Sequence, residues 1–236
     1  MRFLAPVGGL TDARFGILTS FRHRGVPAGV RAGLAWAGDN AAYTGGFDPT
    51  AFLAWLAAME GYRATCLFIA VPDVCGDAEA TAALFGVWAP RLTGWPLAYV
   101  AQDGQENRAL PAAAVWAALF IGGTTAWKLG AGAVHCIEQA QALGKRVHVG
   151  RVNYGRRYRH FAAMAGSQAW TCDGTRTRYE GVVRTLAAWA GLMAEPVPDC
   201  PLPECDCGGQ PQRGGVRADG ECGECVSVDR AGSGDA

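Results

Sequence analysis

Cys66-Leu67-Phe68-Ile69-Ala70-Val71-Pro72-Asp73 is an unbroken apolar run that stops at a proline and a carboxylate. Six apolar residues are too few for a stable helix, and the closing proline cannot extend a hydrogen-bonded ladder. Cys66 to Val71 therefore reads as a fully buried strand. Similar runs recur at Phe3 to Pro6, Gly33 to Ala37, Pro96 to Ala101, Ala118 to Ile121, Arg146 to Val149 and Gln168 to Cys172, each ending in a polar or glycine-rich turn. A shorter run near Ile17 to Ser20 is the weakest of the set.

Helical patterns lie between the runs. One opens at Asp48-Pro49, an N-cap followed by proline at the first helical position, with Phe52, Leu53, Trp55 and Leu56 on one face. Others cover about Asp77 to Trp88 and Ala133 to Leu143, the latter closed by Gly144. A last one spans Tyr179 to Ala194, where Val182, Val183, Leu186, Trp189 and Leu192 recur at helical spacing. Strands that alternate with helices pair in parallel, which makes this an α/β domain. Seven or eight such units favour a compact (β/α)8 TIM-type barrel over an open doubly wound sheet, with some helices short or missing.

The chain has 236 residues, half of them apolar, enough for one sizeable core. Its 21 basic and 21 acidic residues cancel, which argues against a generic polyanion binder but allows a local basic face. The longest apolar runs, such as Ala112 to Gly122, fall short of the roughly 20 residues of a membrane helix, so no membrane association is expected. Met1-Arg2-Phe3-Leu4 turns polar by Thr11-Asp12-Ala13-Arg14, so no secretory signal is expected. After Glu195 the composition shifts to Pro, Gly, Asp and Cys without apolar periodicity. The expected organisation is a barrel over 1–195, a Cys-rich segment over 196–229 and a disordered tail over 230–236.

In a (β/α) barrel the catalytic groups project from the C-terminal ends of the strands. Here those ends read Gly38-Asp39-Asn40, Pro72-Asp73, Gln102-Asp103-Gly104, Gly122-Gly123-Thr124, Gly150-Arg151-Val152-Asn153 and Cys172-Asp173-Gly174. Any one of these aspartates can be a turn former or a helix cap. Together they place several carboxylates on one rim. Converging carboxylates suit chemistry at an anomeric carbon, where one attacks C1′ and another manages the proton of the departing base. Metal-assisted hydrolysis would call for histidines at the rim. Of the four, only His148 lies on a strand; His23 and His160 fall in basic, surface-like segments, His135 falls in a helix, and burial accounts for His148 and His135. Arg151, Arg156, Arg157, Arg159 and His160 are interleaved with Tyr154 and Tyr158, a pattern that suits either a nucleic-acid backbone or a solvated surface helix. Lys128 and Arg146 are further cations that nothing distinguishes.

Over most of residues 30 to 175 the sequence resembles the tRNA-guanine transglycosylases, and especially their phage and bacterial relatives that insert 7-deazaguanines into DNA. Asp39-Asn40 followed by Thr44-Gly45-Gly46-Phe47 is similar to that family's Asp-Ser-Gly-Gly-Phe-Gln segment. Asp73, Gln102, Gly122-Gly123, Val149-Gly150-Arg151-Val152 and Cys172-Asp173 follow in the family's order. The resemblance implies Asp173 as nucleophile and Asp39 as the second carboxylate, transferring a proton or positioning the base. It implies Asp73 as acceptor of the guanine-like N1–H and exocyclic amine. Gln102 and the Gly122 and Gly123 amides would hold the base oxygen, with Asn40 and Arg151 also at the substrate and Arg156, Arg157 and Arg159 on the nucleic acid. The implied reaction replaces guanine in DNA with a preQ0-like free base, in the cytoplasm (the host's, if phage-encoded), as a homodimer or with a partner protein. The chain is shorter than the tRNA-directed enzymes, Asn40 and Ala41 stand where Ser and Gly would be, and Gly174-Thr175-Arg176 departs from the family's loop. Those departures bear on the polynucleotide, so exchange in tRNA stays open. A nucleoside N-glycosidase or deoxyribosyltransferase, and a non-enzymatic zinc-containing nucleic-acid-binding module, are the readings outside the family.

Of nine cysteines, Cys200, Cys205, Cys207, Cys222 and Cys225 crowd the segment after Glu195. Cys205-Asp206-Cys207 and Cys222-Gly223-Glu224-Cys225 flank a gap of 14 residues, close to four-thiolate zinc spacing, with Cys200 as a spare or substitute ligand. A structural zinc would order a segment that has no core of its own; a thiol-rich tail and an iron–sulfur centre are the other readings. The family's structural zinc also begins with Cys-x-Cys but uses a histidine that this tail lacks. No organic cofactor is expected. Cys66, Cys75, Cys136 and Cys172 read as small core residues. Deleting residues 196–236 is expected to abolish zinc binding and weaken polynucleotide binding; metal analysis of the purified full chain and the truncation checks it, and equal zinc content in both dismisses the tail as a site.

Overall fold

The computed structural model describes residues 1–6, 9–44, 46–165, 168–176 and 181–195. Eight strands run β1 Arg2–Ala5, β2 Gly16–Ser20, β3 Trp36–Asp39, β4 Cys66–Ala70, β5 Leu97–Ala101, β6 Ala118–Ile121, β7 Arg146–Val149 and β8 Thr171–Asp173. Each pairs in parallel with the next, and β1 closes on β8 through Arg2↔Thr171, Phe3↔Cys172 and Leu4↔Asp173. The chain is a closed (β/α)8 barrel of the TIM type.

The helices are α1 Ala28–Arg31, α2 Pro49–Met59, α3 Ala78–Trp88, α4 Thr125–Lys128, α5 Ala131–Ala142, α6 Gly155–Ala165 and α7 Val182–Ala194. The compactness the length demands comes from the connections: α1 has only four residues, and Gln105–Asn107 and Ala113–Val115 are single 3₁₀ turns in place of a helix between β5 and β6. Asp48 caps α2 by accepting from the Thr50 and Ala51 N–H groups, with Pro49 in the first turn. The buried face of α2 is Phe52, Trp55, Leu56 and Met59, whereas Leu53, expected on that face, is 41% exposed. On α7, Trp189 stacks on Phe3 with ring centroids 4.3 Å apart, and this anchor sets the helix rotation so that Val183 turns out to solvent.

Alternation along the strands divides the apolar side chains into two layers. Ile17, Trp36, Ile69, Leu97, Tyr99, Leu119, Ile121, Val147 and Cys172 belong to the larger cluster under the helices. Leu4, Leu18, Ala37, Phe68, Ala98 and Ala118 fill the barrel, with Phe120 packed against them. Followed to the strand ends, the inward parity passes from Ala37 to Asp39, from Ala98 to Gln102, from Phe120 to Gly122 and from Thr171 to Asp173.

Two strands start later than the apolar runs imply. Gly33 takes a positive φ of 87° and the Leu34 N–H caps back onto the Gly29 carbonyl, so the chain leaves α1 before β3 begins at Trp36. β8 likewise begins at Thr171 and carries Asp173 as its last residue. The weak run near Ile17 is a full strand, β2. Gly38 lies where a Cβ would come within 2.8 Å of the Trp55 ring and 2.6 Å of Ile69. Gly38→Ala should cost about 1–3 kcal/mol by overpacking; urea unfolding checks it, and an unchanged midpoint contradicts this packing.

Candidate functional site

A cavity of about 680 Å³ opens at the C-terminal ends of the strands. Its wall includes Asp39 of β3 and Asn40 after it, Asp73 after β4, Gln102 after β5, Gly122 and Gly123 after β6, Arg151 after β7 and Asp173 of β8. The residues singled out from six strand ends thus meet around one space. A hollow of about 350 Å³ at the opposite end of the barrel, among Leu67, Ala118, Arg146 and Trp170, has no carboxylate in its wall.

Asp73 sits between two side-chain amides. Asn40 Nδ2 donates to Asp73 Oδ1 at 2.7 Å, and Gln102 Nε2 donates to Oδ2 at 2.5 Å. The amide orientations are fixed by their other ends. Asn40 Oδ1 accepts from the Ala42 N–H, and Gln102 Oε1 accepts from the Gly76 and Gly123 N–H groups at 2.9 and 2.8 Å. Burial raises the Asp73 pKa from its ordinary value, while the two amides and the field of Arg151 oppose that rise. Gln102 and the Gly122 and Gly123 amides were expected to hold a base oxygen. Gln102 and the Gly123 N–H instead bond to each other in the Asp73 wall, and the Gly122 N–H donates to the Ala101 carbonyl.

Asp173 is 8% exposed, and its donors converge on one oxygen. The Arg151 N–H donates to Oδ1 at 2.9 Å, and His148 Nε2 lies 3.2 Å from the same atom. His148 is fully buried, and its Nδ1 lies 2.8 Å from Thr171 Oγ. Asp39 Oδ1 accepts from the Ala41 N–H at 2.6 Å. Among the described residues, Ala41 and Arg151 are the non-glycine residues with positive φ, at 56° and 58°. Each turns its N–H onto one of the two aspartates expected to do the chemistry. A non-glycine residue in the left-handed region costs of order 1 kcal/mol and collects at functional sites, which matches this placement.

The cations at the mouth are partly those expected. The Arg151 guanidinium lies 4.4 Å from the Tyr43 ring centroid and donates to the Gly123 carbonyl. Arg157 lines the cavity 5.4 Å from the Tyr154 ring, joined by Arg176 at 5.6 Å. Arg156 is exposed on α6 away from the cavity wall, and Arg159 bonds to Glu195 at 2.7 Å. Arg176 was not singled out in the sequence, nor were Arg22 and His23 as cavity residues, because nothing in the local pattern reveals which loops fold over the mouth. Cys136 and Cys172 are core residues, but Cys75 is exposed and lines the cavity. Cys205, Cys207, Cys222 and Cys225 lie outside the described residues, and among the described residues no three His, Cys, Asp or Glu side chains are grouped to hold a metal. No helix among the described residues is long and apolar enough to cross a membrane.

No sequence-family profile matches the chain, and no curated protein does. The barrel is similar to a solved structure from Silicibacter pomeroyi, of a protein assigned by name as a glycerophosphoryl diester phosphodiesterase, at 15% identity and a TM-score of 0.37. The match covers 65% of this chain and spans 50% of that one.

Lys128, which the sequence left undistinguished, is buried at the end of α4 with its ammonium donating to the Gly150 carbonyl. Burial pushes its pKa down to about 7, with Arg151 adding to the fall and Asp173 opposing it. In the unfolded chain Lys128 keeps its proton to about pH 10. Between those values the unfolded chain binds a proton that the folded one lacks, so stability rises with pH from about 7 towards 10. Lys128→Met should therefore be more stable than wild type near pH 6.5, with the gap shrinking by about 3 kcal/mol by pH 9.5. Parallel unfolding curves for the two proteins across that range would contradict a buried lysine.

Proposed function

We propose that the chain is an enzyme that exchanges purine bases, replacing guanine in DNA by a 7-deazaguanine through a covalent glycosyl–Asp173 intermediate. The observation that carries this reading is the Asp73 wall: a half-buried carboxylate, bracketed by two oriented amides, in one cavity with Asp39 and Asp173. A guanine-type base offers two adjacent donors, N1–H and the exocyclic amine, and a single fixed carboxylate accepts both. Bases without that donor pair would cover the remaining lone pairs of Asp73, those not used by Asn40 and Gln102, without supplying donors, which is how such a pocket rejects them. A cavity of about 680 Å³ accommodates a base with its sugar.

In the first half-reaction an Asp173 carboxylate oxygen bonds to C1′ as the C1′–N9 bond breaks. The bonding pair stays on the departing guanine, which takes its proton from a carboxylic acid at the rim, a role we assign to Asp39. In the second half the incoming base attacks C1′ through its own N9, Asp39 receives the N9 proton, and Asp173 leaves as a carboxylate. The Gly122 and Gly123 amides are engaged within the protein, so the donor to the base carbonyl is assigned to the Arg151 guanidinium. The target base leaves its stack to enter the cavity, at a cost of a few kcal/mol. Arg157 and Arg176, paired on Tyr154 at the mouth, supply the phosphate contacts, and the zinc expected in the tail takes no part in the chemistry.

The full chain, given labelled guanine or a 7-deazaguanine with duplex DNA, single-stranded DNA or tRNA, should place label in DNA. Asp173→Asn should lose at least about 10³-fold in rate with an unchanged circular dichroism spectrum. Asp73→Asn should lose roughly 10- to 100-fold in kcat/KM, the worth of one charged hydrogen-bond pair. Label in tRNA alone moves the substrate to RNA. Exchange only on free nucleosides moves it to nucleoside chemistry, and no label anywhere refutes base exchange.

A further inference from the structure

His148 is the buried ionisable group on the barrel axis that this chemistry leaves unused. It stands on β7 at the inward parity, between the Phe68 and Phe120 rings at 4.9 and 4.4 Å, and it contacts polar atoms at both nitrogens. The groups around it are Asp173 and Thr171 of β8, Lys128 of α4, and the two phenyl rings of β4 and β6.

We infer that His148 is a positioning residue for Asp173: a neutral imidazole, protonated on Nε2, that with the Arg151 N–H fixes the Oδ1 oxygen and leaves Oδ2 to bond to the sugar. The inference rests on the reading of Asp173 as nucleophile. Its steps follow from donor accounting. Asp173 Oδ1 already accepts from Arg151 N–H, so as a carboxylate oxygen it can only accept from His148 as well, which puts the imidazole proton on Nε2. His148 Nδ1 is then an acceptor, and the Thr171 hydroxyl donates to it at 2.8 Å. Full burial between two phenyl rings disfavours the imidazolium and lowers its pKa, which Asp173 partly restores and Lys128 lowers further. A neutral donor suits a nucleophile that must also leave. An imidazolium would hold the carboxylate so strongly that its attack on C1′ slows, whereas without the imidazole donor only the Arg151 N–H would hold Oδ1. When the glycosyl ester breaks, charge returns to the carboxylate, and the Nε2–H is already in place to receive it.

Two measurements test this on the full chain. Side-chain ¹⁵N NMR of histidine-labelled protein, with His148 assigned through His148→Gln, should show a neutral Nε2–H tautomer from pH 6 to 8. An imidazolium at pH 7, or the Nδ1–H tautomer, would overturn the inference, and this readout needs no substrate. In exchange assays, His148→Leu should lose about 100-fold in kcat with KM within a few-fold, the scale of a small misplacement of a reacting group. His148→Gln, whose amide N–H stands in for Nε2–H, should recover at least tenfold of that loss. It should also lack the acid limb that wild type shows when His148 protonates. A leucine variant with wild-type kcat, or a glutamine variant no better than leucine with the same acid limb, overturns the positioning role. A wild-type chain without exchange activity refutes the proposed reaction instead, while the tautomer result still decides the array.

Discussion

Closure of β1 on β8 is the constraint on which the rest depends. The three pairs Arg2↔Thr171, Phe3↔Cys172 and Leu4↔Asp173 join strands separated by nearly the whole described chain, and they remove the sheet's open edges. Closure also fixes parity: once Leu4 faces the barrel interior, its partner Asp173 does too. The same pleat carries Asp39 and Gln102 inward, whereas Asp73, past the end of β4, is held in the rim by Asn40 and Gln102. The Phe3 stack on Trp189 of α7 fastens the C-terminal helix to that seam.

Polar groups at the rim are stable because each has a partner that is itself held. Asp73 leans on Asn40 and Gln102, which lean on backbone N–H groups of three separate loops. Asp39 and Asp173 each receive an N–H from a residue in the left-handed region. The strain there is offset by the barrel around it, whose apolar layers lie on both faces of the sheet. A site organised in this way is preformed and needs little rearrangement to present its carboxylates to a ligand.

The barrel was legible because Cys66 to Val71 and its counterparts are apolar on both faces, as parallel strands under helices must be. Asp39, Asp73, Gln102, Arg151 and Asp173 were legible for the same reason, standing where those runs end. What was not legible depends on partners distant in sequence. The start of β3 slipped to Trp36 because Gly33 terminates a one-turn helix that has almost no periodic signal. His148 read as a buried strand residue, and its link to Asp173 depends on the neighbouring strand supplying Thr171 and Asp173 in register. Its inward parity, two residues before Gly150 at the strand end, was the available signal. Arg176 and His23 reach the mouth through loop paths that no spacing encodes, and Arg159 bonds to Glu195 just past the end of α7.

In the proposed reaction Asp173 bonds to the sugar. The most direct measurement is to mix the full chain with guanine-containing DNA without added base, quench in acid, digest, and locate the adduct by mass spectrometry. The expected product is DNA esterified to the peptide that contains Asp173, chased off by added guanine and absent from Asp173→Asn. An adduct on Asp39 or any other residue, or exchange turning over with no trapped ester at all, would contradict it.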